Sequence, residues 1–210
     1  MEVSSLMPLV IHPRIRKAVG RVAALTCVAV FASTGAAFAA CQTQPVSGPF
    51  AQFGDTSSYF LVPGGSFEGT ADQVGWSLSN AQLSAGNEPF YVAGASDDQS
   101  LTINGSGSAT SPPFCVDSTM QDLRFFAREV VPGSELQVQA VFQLGRRQIT
   151  SPLAVVRNGS MNAWGPVRQI ALHAGVLPGW AHVPVQLRLA VPGGGSWQVD
   201  DVYVDPFRLG

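Results

Sequence analysis

The chain has 210 residues, with 12 lysines and arginines against 14 aspartates and glutamates, and only 12% of its residues are charged. Beyond residue 40 there is no lysine, and eight arginines face thirteen acids, a net charge of −5. So anionic a chain is not built to neutralise a phosphate backbone, which sets nucleic acid aside as a partner.

The N-terminus has the layout of a secretory signal peptide. Arg14, Arg16, Lys17 and Arg21 form a basic region, Val22 to Phe31 is an apolar run, and Ala37-Phe38-Ala39 reads as an A-x-A cleavage site. The run is too short for a permanent membrane span, and no later segment is long and apolar enough for one. Residues 1–40 are therefore expected to be cleaved, giving a secreted, extracellular protein. Two cysteines then remain, Cys41 and Cys115. In an oxidising compartment the expected arrangement is a disulfide between them. The alternative is a lipid anchor on Cys41, since Phe38-Ala39-Ala40-Cys41 loosely follows a bacterial lipobox in which Leu would normally replace Phe38.

Residues 41–57 read as an extended lead-in and 58–210 as a single domain. Within that domain nearly every segment reads as strand. Ser58 to Val62 is β-rich and stops at Pro63-Gly64-Gly65. Ser100 to Asn104 runs into Asn104-Gly105, the dipeptide favoured in tight hairpins. Leu123, Phe125 and Ala127 alternate with Arg124, Phe126 and Arg128. Leu136 to Phe142 and Val183 to Leu189 show the same period of two, which predicts one buried face and one wet or semi-wet face per strand. Pro184 places the latter strand near an edge or at its own beginning. Trp197 to Val204 is a last strand. No segment of ten or more residues has a helical period. The predicted fold is all-β, an antiparallel β-sandwich of about ten strands, of jelly-roll type or close to it.

Two separated pieces carry a resemblance. The first is Pro63-Gly64-Gly65-Ser66-Phe67-Glu68, followed by Gly75-Trp76-Ser77-Leu78. The second is Ser196-Trp197-Gln198-Val199-Asp200-Asp201-Val202-Tyr203-Val204-Asp205. An early G-x-F-E … W with a late W-x-hydrophobic-D-D-V resembles the carbohydrate-binding modules of the galactose-binding-like jelly-roll superfamily. It is most similar to secreted bacterial proteins with the same ends and two cysteines. The resemblance implies a structural calcium shared between the two ends, with Glu68, Asp200 and the carbonyl of Ser66 as ligands. An all-oxygen set of this kind suits calcium.

The resemblance also implies glycan recognition by aromatic rings. Trp76 and Trp197 lie inside the motifs and are assigned to the core. Trp164, Trp180 and Tyr91 lie on loops and are the expected ligand platforms. A catalytic constellation is missing: there is no G-x-S-x-G elbow, and His173 and His182 have no partner at zinc spacing. Asp97-Asp98 and Glu88 read as turn residues. The expected function is non-catalytic binding of a glycan or cell-surface polysaccharide. The alternative is a secreted structural or protein-interaction domain without a sugar site.

Overall fold

The computed structural model describes residues 44–120, 122–144, 147–157, 163–172 and 182–205. All of them belong to one compact unit, Ser33–Gly210. They form twelve strands: β1 (Val46–Ser47), β2 (Tyr59–Leu61), β3 (Ser77–Ala85), β4 (Gln99–Thr110), β5 (Phe114–Val116), β6 (Asp122–Glu129), β7 (Leu136–Leu144), β8 (Arg147–Val156), β9 (Gly165–Pro166), β10 (Ile170–Ala171), β11 (Val183–Ala190) and β12 (Ser196–Val204). A 3₁₀ turn at Ala51–Phe53 and a one-turn helix, α1 (Ala71–Val74), are the only helical pieces among the described residues. Every strand pairing is antiparallel. The fold is an antiparallel β-sandwich, as the alternating runs predict.

One layer is centred on β12, which pairs with β6 on one side and with β2 and the first half of β4 on the other. β9 and β10 extend it beyond β6. The second layer is built on β11, flanked by β7 and by the end of β4, with β8 outside β7. β4 therefore belongs to both layers. Its residues Leu101–Asn104 pair with β12, and Ser108–Thr110 pair with β11.

The bend falls at Asn104-Gly105-Ser106-Gly107, which corrects the expectation of a hairpin there. Ser106 has φ +61, and Ser106 N–H donates to Val191 O at 2.8 Å. A Cβ on Gly105 would stand 2.4 Å from Gly193 O. The Asn-Gly pair thus serves a mid-strand corner, where the chain crosses from one layer to the other against the Gly193 turn.

Between the layers lies one apolar core. Leu101, Ile103, Leu123, Phe125, Trp197 and Val199 from the first layer meet Ala109, Val138, Ala140, Val185, Leu187 and Leu189 from the second. Trp76 and Trp197 are both buried in it, as assigned. Burying each such large side chain contributes on the order of 2–3 kcal/mol. Pro184 stands at the second position of β11, where the strand pairs only with β5. The β7 ladder begins one residue later, at Val185. The proline marks the strand's beginning, and β11 is central.

The two motif pieces meet side by side. Val62 N–H donates to Val202 O at 2.9 Å, and Val202 N–H donates to Gly65 O at 3.0 Å. Phe67 packs edge-on against Trp76 at 5.0 Å between centroids. Trp76 Nε1 donates to Pro63 O at 3.0 Å. Gly64 has φ +66, and a Cβ there would lie 2.0 Å from Val74 O, so only glycine fits. α1 is a one-turn helix held by a capping box, Thr70 with Gln73.

The outer face of the first layer is not wet. Phe126, opposite Asp200 in register, is fully buried in a second cluster with Phe50, Tyr59 and Tyr203. The cover is the segment around Phe50–Phe53, together with Phe90 and Val92. The lead-in is thus tied into the body: β1 pairs with β2, and Phe50 has no exposed surface.

Arg124 anchors this cover. Its Nη1 donates to Asp55 Oδ2 at 2.6 Å, its Nε donates to Val167 O at 3.1 Å, and its guanidinium lies 4.3 Å from the Phe50 ring centre. Tyr59 O–H also donates to Asp55, at 2.6 Å. Burial pushes the Asp55 carboxyl up, but hydrogen bonds from Tyr59, Ser57 and Arg124 outweigh it, and its pKa ends below the ordinary value.

Candidate functional site

The late D-D pair forms a β-bulge. β12 keeps register with β6 through Asp200 opposite Phe126, then resumes at Tyr203 opposite Arg124. Two residues, Asp201 and Val202, thus oppose Phe125 alone. Asp201 takes up the bulge with φ +51, a left-handed conformation that Asp tolerates better than most residues. Both aspartates are buried.

The segment between β3 and β4 folds over them. Glu88, itself fully buried, donates its N–H to Asp200 Oδ2 at 3.0 Å. The Glu88 carboxylate accepts from Phe90 N–H and, at 2.8 Å, from Val92 N–H. Glu68 closes the far side, its Oε1 accepting from Asp98 N–H at 2.9 Å and Gln99 N–H at 2.8 Å.

Five carboxylates, Glu68, Glu88, Asp97, Asp200 and Asp201, therefore gather here, and among the described residues none of them pairs with an arginine. Burial, then the charge of Asp201, pushes Asp200 up to about 9. Burial, then the charges of Glu88 and Asp97, pushes Asp201 up to about 8. Asp97 is also raised, by burial and then by Glu68 and Glu88. Asp97 Oδ2 and Asp201 Oδ1 are buried with no hydrogen-bond partner. Oxygens left open in this way cost free energy unless a proton or a cation meets them.

The residues expected from the sequence as calcium ligands already hold backbone partners or stand beside this group. Asp200 is occupied by the N–H groups of Glu88 and Asp201, and Glu68 Oε1 by two more. Ser66 is half-buried, with no hydrogen bond to this group among the described residues. The open oxygens belong to Asp97, which read as a turn residue, and to Asp201. Among the described residues, no three His, Cys, Asp or Glu side chains converge into a ready-made metal set. An ion here would draw on these two carboxylates together with backbone carbonyls, donors that suit calcium.

A second feature lies on the same outer face, beyond the covered part. Arg128, Gln198 and Thr102 stand side by side on β6, β12 and β4. Arg128 Nε donates to Gln198 Oε1. Gln198 Nε2 donates to Thr102 Oγ1 at 3.1 Å, and Thr102 O–H donates to Ser84 Oγ at 2.9 Å. The chain of donors runs one way across four strands, so each bond polarises the next. It leaves the Arg128 Nη groups and the Ser84 hydroxyl proton as donors for something else. Trp164 stands at the Arg128 end, half-buried, with the guanidinium 5.3 Å from its ring centre.

Of the three aromatic platforms expected from the sequence, Trp164 stands at this row, and Tyr91 lies in the segment that covers the Phe126 cluster. Trp164 packs against the Phe126 cluster, as do Phe90 and Val92 on either side of Tyr91. Tyr91 is 51% exposed, with a positive φ of 52. Trp180, His173 and Cys41 lie outside the described residues. Cys115 is buried on β5. The outer face of the second layer is different. Ser79, Ser108, Thr110, Gln148, Thr150 and Arg188 line a shallow groove of about 230 Å³ with no aromatic ring. His182 is exposed, 3.7 Å from Asp117.

Sequence reasoning missed the polar row. Arg128, Gln198 and Thr102 are far apart in the chain, and each looks like an ordinary outward residue of its strand. Gln198 alone carried a signal, as the polar residue inside the late motif.

No family model and no curated protein matches this chain. Solved structures similar to it include carbohydrate-binding modules. One holds the CBM22-1 and GH10 modules of a Clostridium thermocellum endo-1,4-β-D-xylanase with xylohexaose: TM-score 0.46, 15% identity, 69% of this chain and 28% of that one. Another is the CBM22-1 xylan-binding domain of Paenibacillus barcinonensis Xyn10C: TM-score 0.45, 13% identity, 69% of this chain and 93% of that one. A third is a CBM6 module of Cellvibrio mixtus lichenase 5A with cellotriose: TM-score 0.41, 13% identity, 63% of this chain and 91% of that one.

Proposed function

We propose that this is a secreted, non-catalytic glycan-binding module, acting at or near the cell surface, with a structural calcium ion beneath its binding face. The observation that carries the reading is the polar row Arg128–Gln198–Thr102–Ser84 ending at Trp164. Sugars offer adjacent hydroxyls, which pair with guanidinium, amide and hydroxyl groups set at strand spacing, and apolar C–H faces, which pack on an indole. The row is held by its own hydrogen bonds before any ligand arrives, so little side-chain entropy is lost on binding. The aromatic-free groove of the second layer lacks one half of this chemistry.

The cation belongs to the group around Asp97 and Asp201. Their open oxygens are what supports it: an ion there would neutralise charge that the fold otherwise buries unpaired.

A glycan array probed with the protein in calcium tests the reading. The expected result is saturable binding to at least one class of cell-wall or plant polysaccharide, weakened tenfold or more by Trp164→Ala. Silence across the array overturns it.

A further inference from the structure

A cavity of about 520 Å³ opens where β8 of the second layer faces β9 and β10 of the first. Its walls are mixed: Ala154 from β8, Val167 and Ile170 from around β10 and two indoles, Trp164 and Trp197, form the apolar part, and polar groups supply about as much of the lining. That volume is in the range of small-molecule sites.

The polar lining comes from Arg157, Arg168 and Gln169, and Trp197 brings an indole N–H. At the rim stand Arg157 and Arg168. Arg157 is engaged by Glu135 in an ion pair, whereas Arg168 is exposed and pairs with no carboxylate among the described residues. Within the core, Trp197 is fully buried and its Nε1 has no acceptor. A buried N–H left in this state is costly on the scale of a whole hydrogen bond.

We propose that this cavity binds an aromatic carboxylic acid, free or carried as a substituent on a larger ligand. The carboxylate meets Arg168 at the rim, since a guanidinium takes a planar carboxylate in a bidentate fork. The flat ring lies among the two indoles and the aliphatic walls, where offset or edge packing of rings is favoured. An oxygen on the far end of the ring gives Trp197 Nε1 an acceptor that the protein does not provide. An alkyl chain would fill the walls but would forgo the ring contacts and leave Trp197 unpaired. The cavity shares Trp164 with the end of the polar row, but its other lining residues lie outside that row, and its occupant needs no sugar.

Titration of the purified protein with 4-methoxycinnamate, followed by ligand-observed NMR and calorimetry, tests this. The expected result is saturable one-to-one binding. It should weaken tenfold or more in Arg168→Gln, and as much again when the neutral amide replaces the acid. Ala154→Phe, which fills the cavity, should abolish it. Because Ala154→Phe also perturbs packing, its melting curve is recorded alongside, and Arg168→Gln, on an exposed residue, decides if that variant fails to fold. No saturable binding up to millimolar ligand, equal binding of acid and amide, or unchanged affinity in Arg168→Gln overturns the proposal.

Discussion

Asp201 concentrates the chemistry of this molecule in one residue. Its left-handed backbone sets it out of register in β12, and its side chain is buried among Glu88 and Asp97 with one oxygen open. The sign of its effect on stability follows from its raised pKa. The folded state holds protons on Asp200 and Asp201 up to about 9 and about 8, whereas the unfolded chain loses them near 4. Their contribution is therefore fully present below pH 4 and is lost as pH rises towards 9. A bound cation removes the reason for that loss. The melting temperature in EDTA should accordingly fall between pH 5 and 8, and calcium should restore it at pH 8. Asp201→Asn, which keeps the left-handed conformation accessible, should flatten the EDTA profile and abolish most of the gain from calcium. A melting temperature indifferent to both pH and calcium would remove the ion from the account.

At the scale of elements, β4 and the lead-in show what can and cannot be read along a chain. The runs that became β6, β7 and β11 were legible because alternation is a local signal, and their inward residues are those of the core. Asn104-Gly105 misleads because the same dipeptide that closes a hairpin also lets a strand turn a corner against Gly193. The lead-in was illegible for another reason. Phe50 and Phe53 lie in a short, glycine-flanked segment with no period, and their burial depends on Phe126, more than seventy residues on. A strand's outward face becomes a second core only when something remote covers it. Phe50→Ala should therefore cost about 3–5 kcal/mol, the range for a deleted core aromatic, which chemical denaturation would measure. A loss under 1 kcal/mol would mean that the lead-in is a loose cover.

At the scale of the whole molecule, the two ends were legible as partners because their motifs are short but chemically specific: a glycine that must admit a backbone carbonyl, a tryptophan that must find one, and acids beside aromatics. Their meeting at Gly65 and Val202 agrees with the resemblance. What could not be read is which acid of the pair keeps an open oxygen, since that is settled by the bulge and not by composition. A bridge between Cys41 and Cys115, expected from the sequence, would tie the lead-in to β5. Intact mass should rise by two hydrogens on reduction, and a lipid-sized excess would instead identify an anchor. The account as a whole stands on the cross-strand row of the first layer. Its most direct test is calorimetric titration of wild type and Gln198→Ala with an array-positive oligosaccharide in calcium. The account predicts at least a tenfold loss of affinity, about 1.4 kcal/mol or more, measured at a temperature where both proteins are folded. Equal affinity in the two proteins would contradict it.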